Sequence, residues 1–206
     1  MAEMLNGLDS SSPCDATAVA CLVQEGYSFV ARYYSGSLQS HKNLTAAEAQ
    51  LISAAGIQLV AVFENNSTSL PYFTVARGAK DAAEALSMAA SVGQPQGTAI
   101  YFTVDYDASS SEIAGAITQY MHAVKSGIAG KYEIGIYGSG AVCTAMLNAG
   151  LAQFAWLSQS MGFNGSSTFS NWNIKQGMPL TICGLNADPD DAHGEYGGFS
   201  VTRTEV

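Results

Sequence analysis

Apolar and polar positions along the chain follow two different periods, and the two kinds of segment alternate. Short runs rich in β-branched and aromatic residues are apolar at nearly every position, as in IQLVAVFE at 57–64 and TAIYFTVD at 98–105. Such runs are typical of parallel strands that are covered on both faces. The longer segments between them are rich in Ala and are followed by Gly, which is typical of helices.

The pattern predicts eight strands, at 4–9, 27–34, 57–64, 98–105, 133–137, 154–158, 172–175 and 180–185. It predicts helices between the first six strands, at 16–24, 45–55, 71–92, 111–127 and 140–148. Thr45 with Glu48 three residues later predicts a capping box. The late connections are rich in Gly, Ser and Asn and leave little room for full helices.

This order predicts an α/β protein, a small (β/α)8 TIM-like barrel whose C-terminal helices are reduced, as one domain over residues 1–206. A doubly wound open sheet is the alternative. No Gly-x-Gly-x-x-Gly follows the first predicted strand, which argues against a dinucleotide-binding sheet.

Composition narrows the possible partners. The 206 residues are 48% hydrophobic and 12% charged, so the chain can form a sizeable core. Eight Lys and Arg against seventeen Asp and Glu give a net charge of −9. We therefore expect neither nucleic acid nor a membrane surface as a partner. The first fifteen residues carry acids and no Lys or Arg, which is not the pattern of a secretory signal peptide. The sequence thus predicts a protein made in the bacterial cytoplasm and exported, if at all, by a non-classical route.

Cysteine and histidine spacing argues against metal chemistry. The four cysteines, Cys14, Cys21, Cys143 and Cys183, form no Cys-x-x-Cys pair. We interpret them as buried free thiols in a reducing compartment. The three histidines have no metal-binding spacing, so no metal and no cofactor is predicted. No Gly-x-Ser-x-Gly elbow is present, which argues against a serine hydrolase.

Carboxylates follow several predicted strands, where the active site of a parallel barrel lies. They are Asp9, Glu64, Asp105, Asp107 and Asp188. Residues two apart on a strand share a face, so Asp105 and Asp107 are both expected to point into the barrel opening. A group of carboxyls raises some of their pKa values, as general acid/base chemistry on a glycosidic bond requires. The alternatives are structural roles: a cap for Asp9 and Asp107, a structural hydrogen bond for Asp105, and a satisfied structural acid for Glu64.

Aromatic and amide residues lie at the same strand ends. Tyr33, Tyr137 and Trp156 could stack on sugar rings, and Gln159 and Gln176 could bind hydroxyl or N-acetyl groups. Ordinary core packing and surface exposure are the alternatives. In the last part of the chain, Asp190 and Asp191 are interpreted as solvated loop charges beside Asp188.

Several stretches together resemble a known family. They are GLDSS at 7–11, GYSFVARYYS at 26–35, KNLTAAEA at 42–49, LVAVFE at 59–64, IYFTVDYD at 100–107 and IGIYGS at 134–139, with Gln176 and Asp188. The chain resembles the glycoside-hydrolase-like barrels called domain-of-unknown-function family 1906, relatives of the family-25 lysozymes. The resemblance covers roughly residues 5–200.

The resemblance implies a TIM-barrel-like fold with a glycan site at the carboxyl ends of the strands. In family-25 lysozymes an Asp-x-Glu of the fourth strand supplies the acids, which implies Asp105 for the first and Asp107 for the second. It implies Asp9 for the acid of the first strand. Position 107 is Asp rather than Glu, and catalysis is sensitive to displacements of about 1 Å. Glu64 is the alternative proton donor.

The sequence therefore predicts a muramidase-type glycosidase that acts on peptidoglycan. Asp107 or Glu64 is the predicted acid, Asp105 stabilises the reacting sugar, and Asp9 and Asp188 support it. Release as a phage-type lysin and delivery as an antibacterial effector with an immunity or secretion partner are both compatible with this chemistry. The alternative function is a glycan-binding barrel with weak or no catalysis.

Overall fold

The strands of the computed structural model form one sheet that closes on itself. The model describes residues 4–37 and 40–202. The nine strands are β1 Met4–Asp9, β2 Phe29–Tyr34, β3 Gln58–Phe63, β4 Ala99–Thr103, β5 Glu133–Gly138, β6 Phe154–Leu157, β7 Ile174–Gln176, β8 Leu180–Ile182 and β9 Leu185–His193. Strands β1 to β7 are parallel neighbours in chain order.

Strand β9 closes the barrel. It pairs antiparallel with β7 on one side and with β1 on the other, so that β1 to β7 and β9 form a closed ring of eight strands. The predicted small TIM-like barrel is confirmed, and the open-sheet alternative is excluded. One part of the prediction is wrong, because the eighth strand runs against the other seven.

The predicted strand 180–185 is not continuous, since it contains β8, a two-residue turn and the first residue of β9. Cys183 and Gly184 both adopt positive φ, at 51° and 81°, and reverse the chain between β8 and β9. Because β8 pairs only with β9, it lies outside the barrel ring. The predicted strand 172–175 is also shifted, and its observed counterpart begins at Ile174.

Helices cover the outside of the barrel between the strands. They are α1 Ala16–Gln24, α2 Ala46–Ala54, α3 Val75–Val92, α4 Ser110–Glu112, α5 Thr118–Ile128 and α6 Gly140–Asn148. A π-helical stretch, Ile113–Ile117, joins α4 to α5 into one helical segment. After α6, the helical structure of the described residues is limited to a 3-10 turn at Ser166–Thr168, which confirms the prediction of reduced C-terminal helices. Within the described ranges, no helix combines the length and the apolar character needed to cross a membrane.

Helix starts follow local side-chain chemistry, with two differences from prediction. Thr45 caps α2 by accepting a hydrogen bond from the Glu48 N–H. The Glu48 side chain does not complete the predicted capping box, since it pairs instead with the buried guanidinium of Arg32 at 2.7 Å. The predicted helix 71–92 begins later, because Thr74 provides the N-cap and Pro71 lies in a separate 3-10 turn.

The strands bury two different sets of side chains. The outward set packs against the helices and includes Ile100, Phe102 and Val104 of β4 and the loop after it, as the alternation predicts. The inward set fills the barrel with rings and aliphatic groups, namely Phe29, Ala31, Val60, Val62, Ala99, Tyr101, Trp156, Ile174, Ala192 and Tyr196. Gly7 and Gly135 make room for these rings, since a Cβ there would lie 2.2 Å from Phe29 and 2.3 Å from Tyr101.

A buried ion pair supports the chain just after β1. Arg32 of β2 is fully buried and points outward between the barrel and α2. Its guanidinium bonds Glu48 and donates to the backbone carbonyl of Ser10, and Glu48 also accepts from the Cys14 N–H. Removing either partner would leave a buried charge uncompensated. This pair therefore holds the segment that immediately follows Asp9.

A disulfide joins the first helix to the last hairpin. Cys21 of α1 and Cys183 of the β8–β9 turn are bonded, while Cys14 and Cys143 are buried free thiols. The predicted set of four free thiols is therefore wrong. The bonded residues are 162 positions apart and meet only because β9 returns beside β1.

We expect loss of this disulfide to lower stability. The double variant Cys21→Ser/Cys183→Ser should lose about 2–5 kcal/mol of unfolding free energy, because the crosslink restricts the unfolded chain. Urea denaturation of the oxidised wild type and the variant measures the difference. Reductant should destabilise the wild type and leave the double variant unchanged. An unaltered wild-type transition in reductant would contradict the prediction.

Candidate active site

The carboxyl ends of the parallel strands surround a cavity of about 160 Å³. Its lining combines carboxyls, amides, hydroxyls and rings: Asp9, Tyr33, Val62, Glu64, Thr103, Asp105, Tyr137, Trp156, Gln159, Gln176 and Asp188. An adjoining cavity of about 450 Å³ shares Asp9, Tyr33 and Asp188 and extends along the β8–β9 hairpin. Nine of the ten residues predicted for the site therefore line one cavity, and Asp107 does not.

Asp9 is the most deeply placed carboxyl of the cavity, at 2% exposure. It ends β1, and both of its oxygens are bonded. The Tyr33 hydroxyl donates to Oδ1 at 2.8 Å, and Gln176 Nε2 donates to Oδ2 at 2.7 Å. Burial raises the pKa of Asp9 to about 7, with a further increase from the charges of Asp188 and Glu64, although the two hydrogen bonds act in the opposite direction.

Gln176 connects three groups of the cavity. Its Nε2 donates to Asp9 and lies 3.2 Å from Asp188 Oδ2, and its Oε1 accepts from the Tyr137 hydroxyl at 2.9 Å. An amide can serve two carboxyls and one hydroxyl in this way because it has both donors and an acceptor. Asp188 lies within β9, in register with Asp9 across the antiparallel pair, rather than at a strand end. Burial raises its pKa.

Asp105 is the carboxyl least engaged by the protein. Its backbone N–H donates to the Ser67 carbonyl, and its carboxyl oxygens form no hydrogen bond or ion pair with the described residues. Burial is the larger cause of its raised pKa, and the negative charge of Glu64 adds to it. Both effects favour the protonated form, so Asp105 can hold a proton that faces the cavity.

Glu64 is arranged differently, although it lies next to Asp105. It directly follows β3, and its carboxylate pairs with the Lys42 ammonium at 3.0 Å. Lys42 also lies over the Tyr33 ring, 5.0 Å from its centroid. Of these two neighbouring carboxyls, Glu64 is paired with a cation and Asp105 is not, and acid/base chemistry uses such a difference in surroundings.

Asp107 lies outside this group. Strand β4 ends at Thr103, so the alternation of faces that would point Asp107 inward does not continue to it. Asp107 is exposed, and its Oδ1 accepts a hydrogen bond from the Asn164 N–H at 2.7 Å. The predicted placement of Asp105 and Asp107 on one face of the barrel opening is therefore wrong.

The aromatic residues line the cavity on the side of the barrel interior. Trp156 is buried and packs edge-on against Tyr137, with ring centroids 5.4 Å apart. The hydroxyls of Tyr33 and Tyr137 are already bonded to Asp9 and Gln176, so these rings hold the polar groups in place as well as lining the cavity. Gln159 lies at the rim, where its backbone N–H approaches Gln176 Oε1 at 3.4 Å.

The sequence prediction omits Val62 and Thr103 of the lining. It also misses two charged residues beside the cavity, Lys42 and Asp190. Lys42 follows no strand, and it reaches Glu64 only through the tertiary fold. Asp190 was interpreted as a solvated charge, which is wrong, because it is 2% exposed and points into the barrel. Asp188, Asp190 and Ala192 alternate with Pro189 and Asp191, and this period of two is the signal that identifies β9 as a strand. Asp191 is exposed, as predicted.

The described residues contain no cluster of three or more His, Cys, Asp or Glu side chains arranged to hold a metal ion.

The closed barrel and its carboxyl-lined cavity define a glycoside-hydrolase-like barrel. The sequence model of the Rv2525c-like glycoside hydrolase-like domain matches residues 20–193, and the chain belongs to this family. A relative is the uncharacterized protein YbfG of Bacillus subtilis, 31% identical over 93% of this chain and 30% of YbfG. The chain thus spans about a third of the curated relatives that it matches.

Solved structures show the same fold at low identity. The Tat-secreted protein Rv2525c of Mycobacterium tuberculosis in complex with L-tartrate superposes with a TM-score of 0.79, at 19% identity over 96% of this chain and 99% of that one. The autolysin LytC of Streptococcus pneumoniae, in complex with a synthetic peptidoglycan ligand, gives 0.62 at 13% identity, over 92% and 46%. A family 25 glycosyl hydrolase of Bacillus anthracis gives 0.53 at 11%, over 95% and 94%.

The raised pKa of Asp9 predicts how stability depends on pH. The folded state retains a proton that the unfolded chain releases near 3.8, so the free energy of unfolding should fall as the pH rises from 3.8 to about 7. Thermal denaturation across this range measures the slope. Asp9→Asn should reduce the slope, and Asp107→Asn, at an exposed site, should leave it unchanged. A stability that rises with pH over this range would contradict the prediction.

Proposed function

We propose that this domain hydrolyses glycosidic bonds of bacterial peptidoglycan, as a muramidase does. The observation that carries the proposal is the grouping of Asp9, Glu64, Asp105 and Asp188 around one cavity that also contains rings, hydroxyls and amides. Carboxyl pairs with different environments are what glycosidases use. The likeness to an autolysin bound to a peptidoglycan ligand supports this choice of polymer.

Asp105, rather than Asp107 or Glu64 as the sequence predicts, is the proton donor in this proposal. It faces the cavity, has no cation beside it, and burial raises its pKa, so it can protonate the oxygen of the leaving sugar. Glu64, paired with Lys42, is the carboxylate that stabilises positive charge on the reacting sugar. Asp9 and Asp188 act through Gln176, which fixes their positions beneath the substrate. Asp107 has no part in the reaction.

We expect Asp105→Asn to abolish peptidoglycan hydrolysis while the fold is retained. General acid catalysis contributes about 100-fold to 10,000-fold, so the rate of reducing-end release from purified sacculi should fall at least 100-fold. Mass spectrometry of the soluble products identifies the bond that is cleaved. Asp107→Asn is the matched control and should retain activity, since the amide oxygen can still accept from Asn164. Equal activity of Asp105→Asn and the wild type would exclude Asp105 as the donor.

A glycan-binding barrel without catalysis is the second candidate. The position of Asp107 favours it, because the pair of acids that the family-25 resemblance implies on the fourth strand is not assembled in this cavity. In the same experiment, sacculi that retain the wild-type protein but release no products would support this candidate and overturn the first.

We further propose that the domain acts outside the bacterial cytoplasm. Peptidoglycan lies there, and the Cys21–Cys183 disulfide supports an oxidising environment, in which such bonds persist. Release by phage-type lysis, and delivery as an antibacterial effector whose producer carries an immunity partner, are the two routes that fit this location.

Directing the domain to the periplasm of a Gram-negative host provides a cellular test. Periplasmic expression should cause lysis, measured as a loss of culture turbidity, because the enzyme then reaches its substrate. Cytoplasmic expression and periplasmic Asp105→Asn should not. Equal lysis by the wild type and Asp105→Asn in the periplasm would show that toxicity does not depend on glycosidic cleavage.

A further inference from the structure

Asp190 is a buried carboxyl beneath the cavity, with no part in the proposed reaction. It lies on β9 two residues after Asp188 and faces Gly7 of β1 and Gln176 of β7 across the two antiparallel pairs. Its Oδ1 accepts a hydrogen bond from Trp156 Nε1 at 2.9 Å. Its Oδ2 is buried and has no hydrogen-bond partner among the described residues.

The groups around Asp190 are acidic or neutral. The carboxyls are Asp9 of β1 and Asp188 and Asp191 of β9, and the titratable phenols are Tyr101 of β4 and Tyr137 of β5. The ion pairs of the described residues engage Glu48, Glu64, Asp81 and Glu84, and none engages Asp190. An ionised carboxylate with an unbonded oxygen is among the least favourable groups that a protein interior can hold.

We propose that Asp190 is a positioning residue that keeps a proton at neutral pH, so that Asp9 and Asp190 together carry at most one negative charge. The two carboxyls occupy adjacent layers of one barrel interior, and only Asp9 has two hydrogen-bond donors to support a charge. Asp9 is therefore the carboxyl that ionises, and Asp190 is the carboxyl that remains protonated.

The electrostatic surroundings support this assignment. Burial raises the pKa of Asp190 well above its ordinary range, and the charge of Asp9 raises it further. Burial raises the pKa of Asp9 to about 7, and the charges of Asp188 and Glu64 also raise it. The pair thus releases its protons in two steps, in which Asp9 ionises first while Asp190 stays neutral.

A neutral Asp190 allows Asp9 to remain a carboxylate within its hydrogen-bonded group. Tyr33 and Gln176 donate to that carboxylate, and Gln176 in turn positions Asp188 and Tyr137. Loss of the second proton at alkaline pH would place two neighbouring charges in the barrel and disrupt this arrangement. The ionisation of Asp190 would thereby set the highest pH at which the hydrogen-bonded arrangement of the site is retained.

Carbon-13 NMR of protein labelled at aspartate carboxyl carbons tests the proposal on the wild-type protein. One aspartate signal, identified by its absence from Asp190→Asn, should still be at the protonated position at pH 7, whereas ordinary aspartates titrate near pH 3.9. A signal for Asp190 that has already moved to the ionised position at pH 7 would overturn the proposal. The wild-type titration can be assigned by other spectra if Asp190→Asn does not fold.

Two matched variants test whether Asp190 is neutral or ionised in the wild-type protein. Asp190→Asn keeps an oxygen that can accept from Trp156 and replaces one neutral group by another. The titration of Asp9 near pH 7 should therefore be unchanged. The loss of thermal stability at alkaline pH that ionisation of Asp190 causes should disappear. Asp188→Asn removes a neighbouring charge and should shift the Asp9 titration to lower pH. An equal shift in Asp190→Asn would show that Asp190 was ionised and would overturn the proposal.

These measurements do not depend on catalysis. If the domain binds glycan without cleaving it, the proposed function fails and the carboxyl titrations still decide the state of Asp190. If the domain is active, the positioning role rests on the proposed function. The hydrolytic activity of Asp190→Asn should then extend to more alkaline pH than that of the wild type. A profile identical to that of the wild type would overturn the positioning role.

Discussion

The burial of carboxyl groups without enough cations to neutralise them is the constraint on which the site depends. Asp9, Asp188 and Asp190 lie near one another inside the barrel, and the ammonium of Lys42 is paired with Glu64. The protein offsets the cost of this arrangement with neutral donors from Tyr33, Gln176 and Trp156 and by retaining protons. A site built in this way has protonatable groups at neutral pH, which acid-catalysed cleavage requires.

The closing strand makes this arrangement possible. A β9 that runs antiparallel to β1 places Asp188 in register with Asp9 and brings Asp190 one layer below. Residues two apart on a strand point to the same face, so both acids of this strand lie inside the barrel. The same return of the chain brings Cys183 to Cys21, so that the disulfide and the Arg32–Glu48 pair secure the two segments beside Asp9.

Membership of the Rv2525c-like family places the domain among glycoside-hydrolase-like barrels, and the cavity at the carboxyl ends of its strands holds the candidate site. The acid that follows β4 and faces the cavity is Asp105, and the other acid on this side of the lining is Glu64, which follows β3, rather than Asp107. Two acids on neighbouring strands can provide the two carboxyls that the chemistry needs. Their different surroundings, one beside Lys42 and one without a cation, separate their roles.

Apolar periodicity and the ends of parallel strands are local signals. The α/β class, the barrel, the bounds of most strands and helices, and nine of the eleven residues that line the cavity could therefore be predicted from the sequence. Only the tertiary structure decided the direction of β9, the Cys21–Cys183 bond, the partner of Glu64 and the exclusion of Asp107. Each of these depends on which segment lies beside which after the ring has closed. Asp190 illustrates the difference, since the residues around it make it look like a solvated loop charge, and its burial follows from pairing with strands that are distant in the sequence.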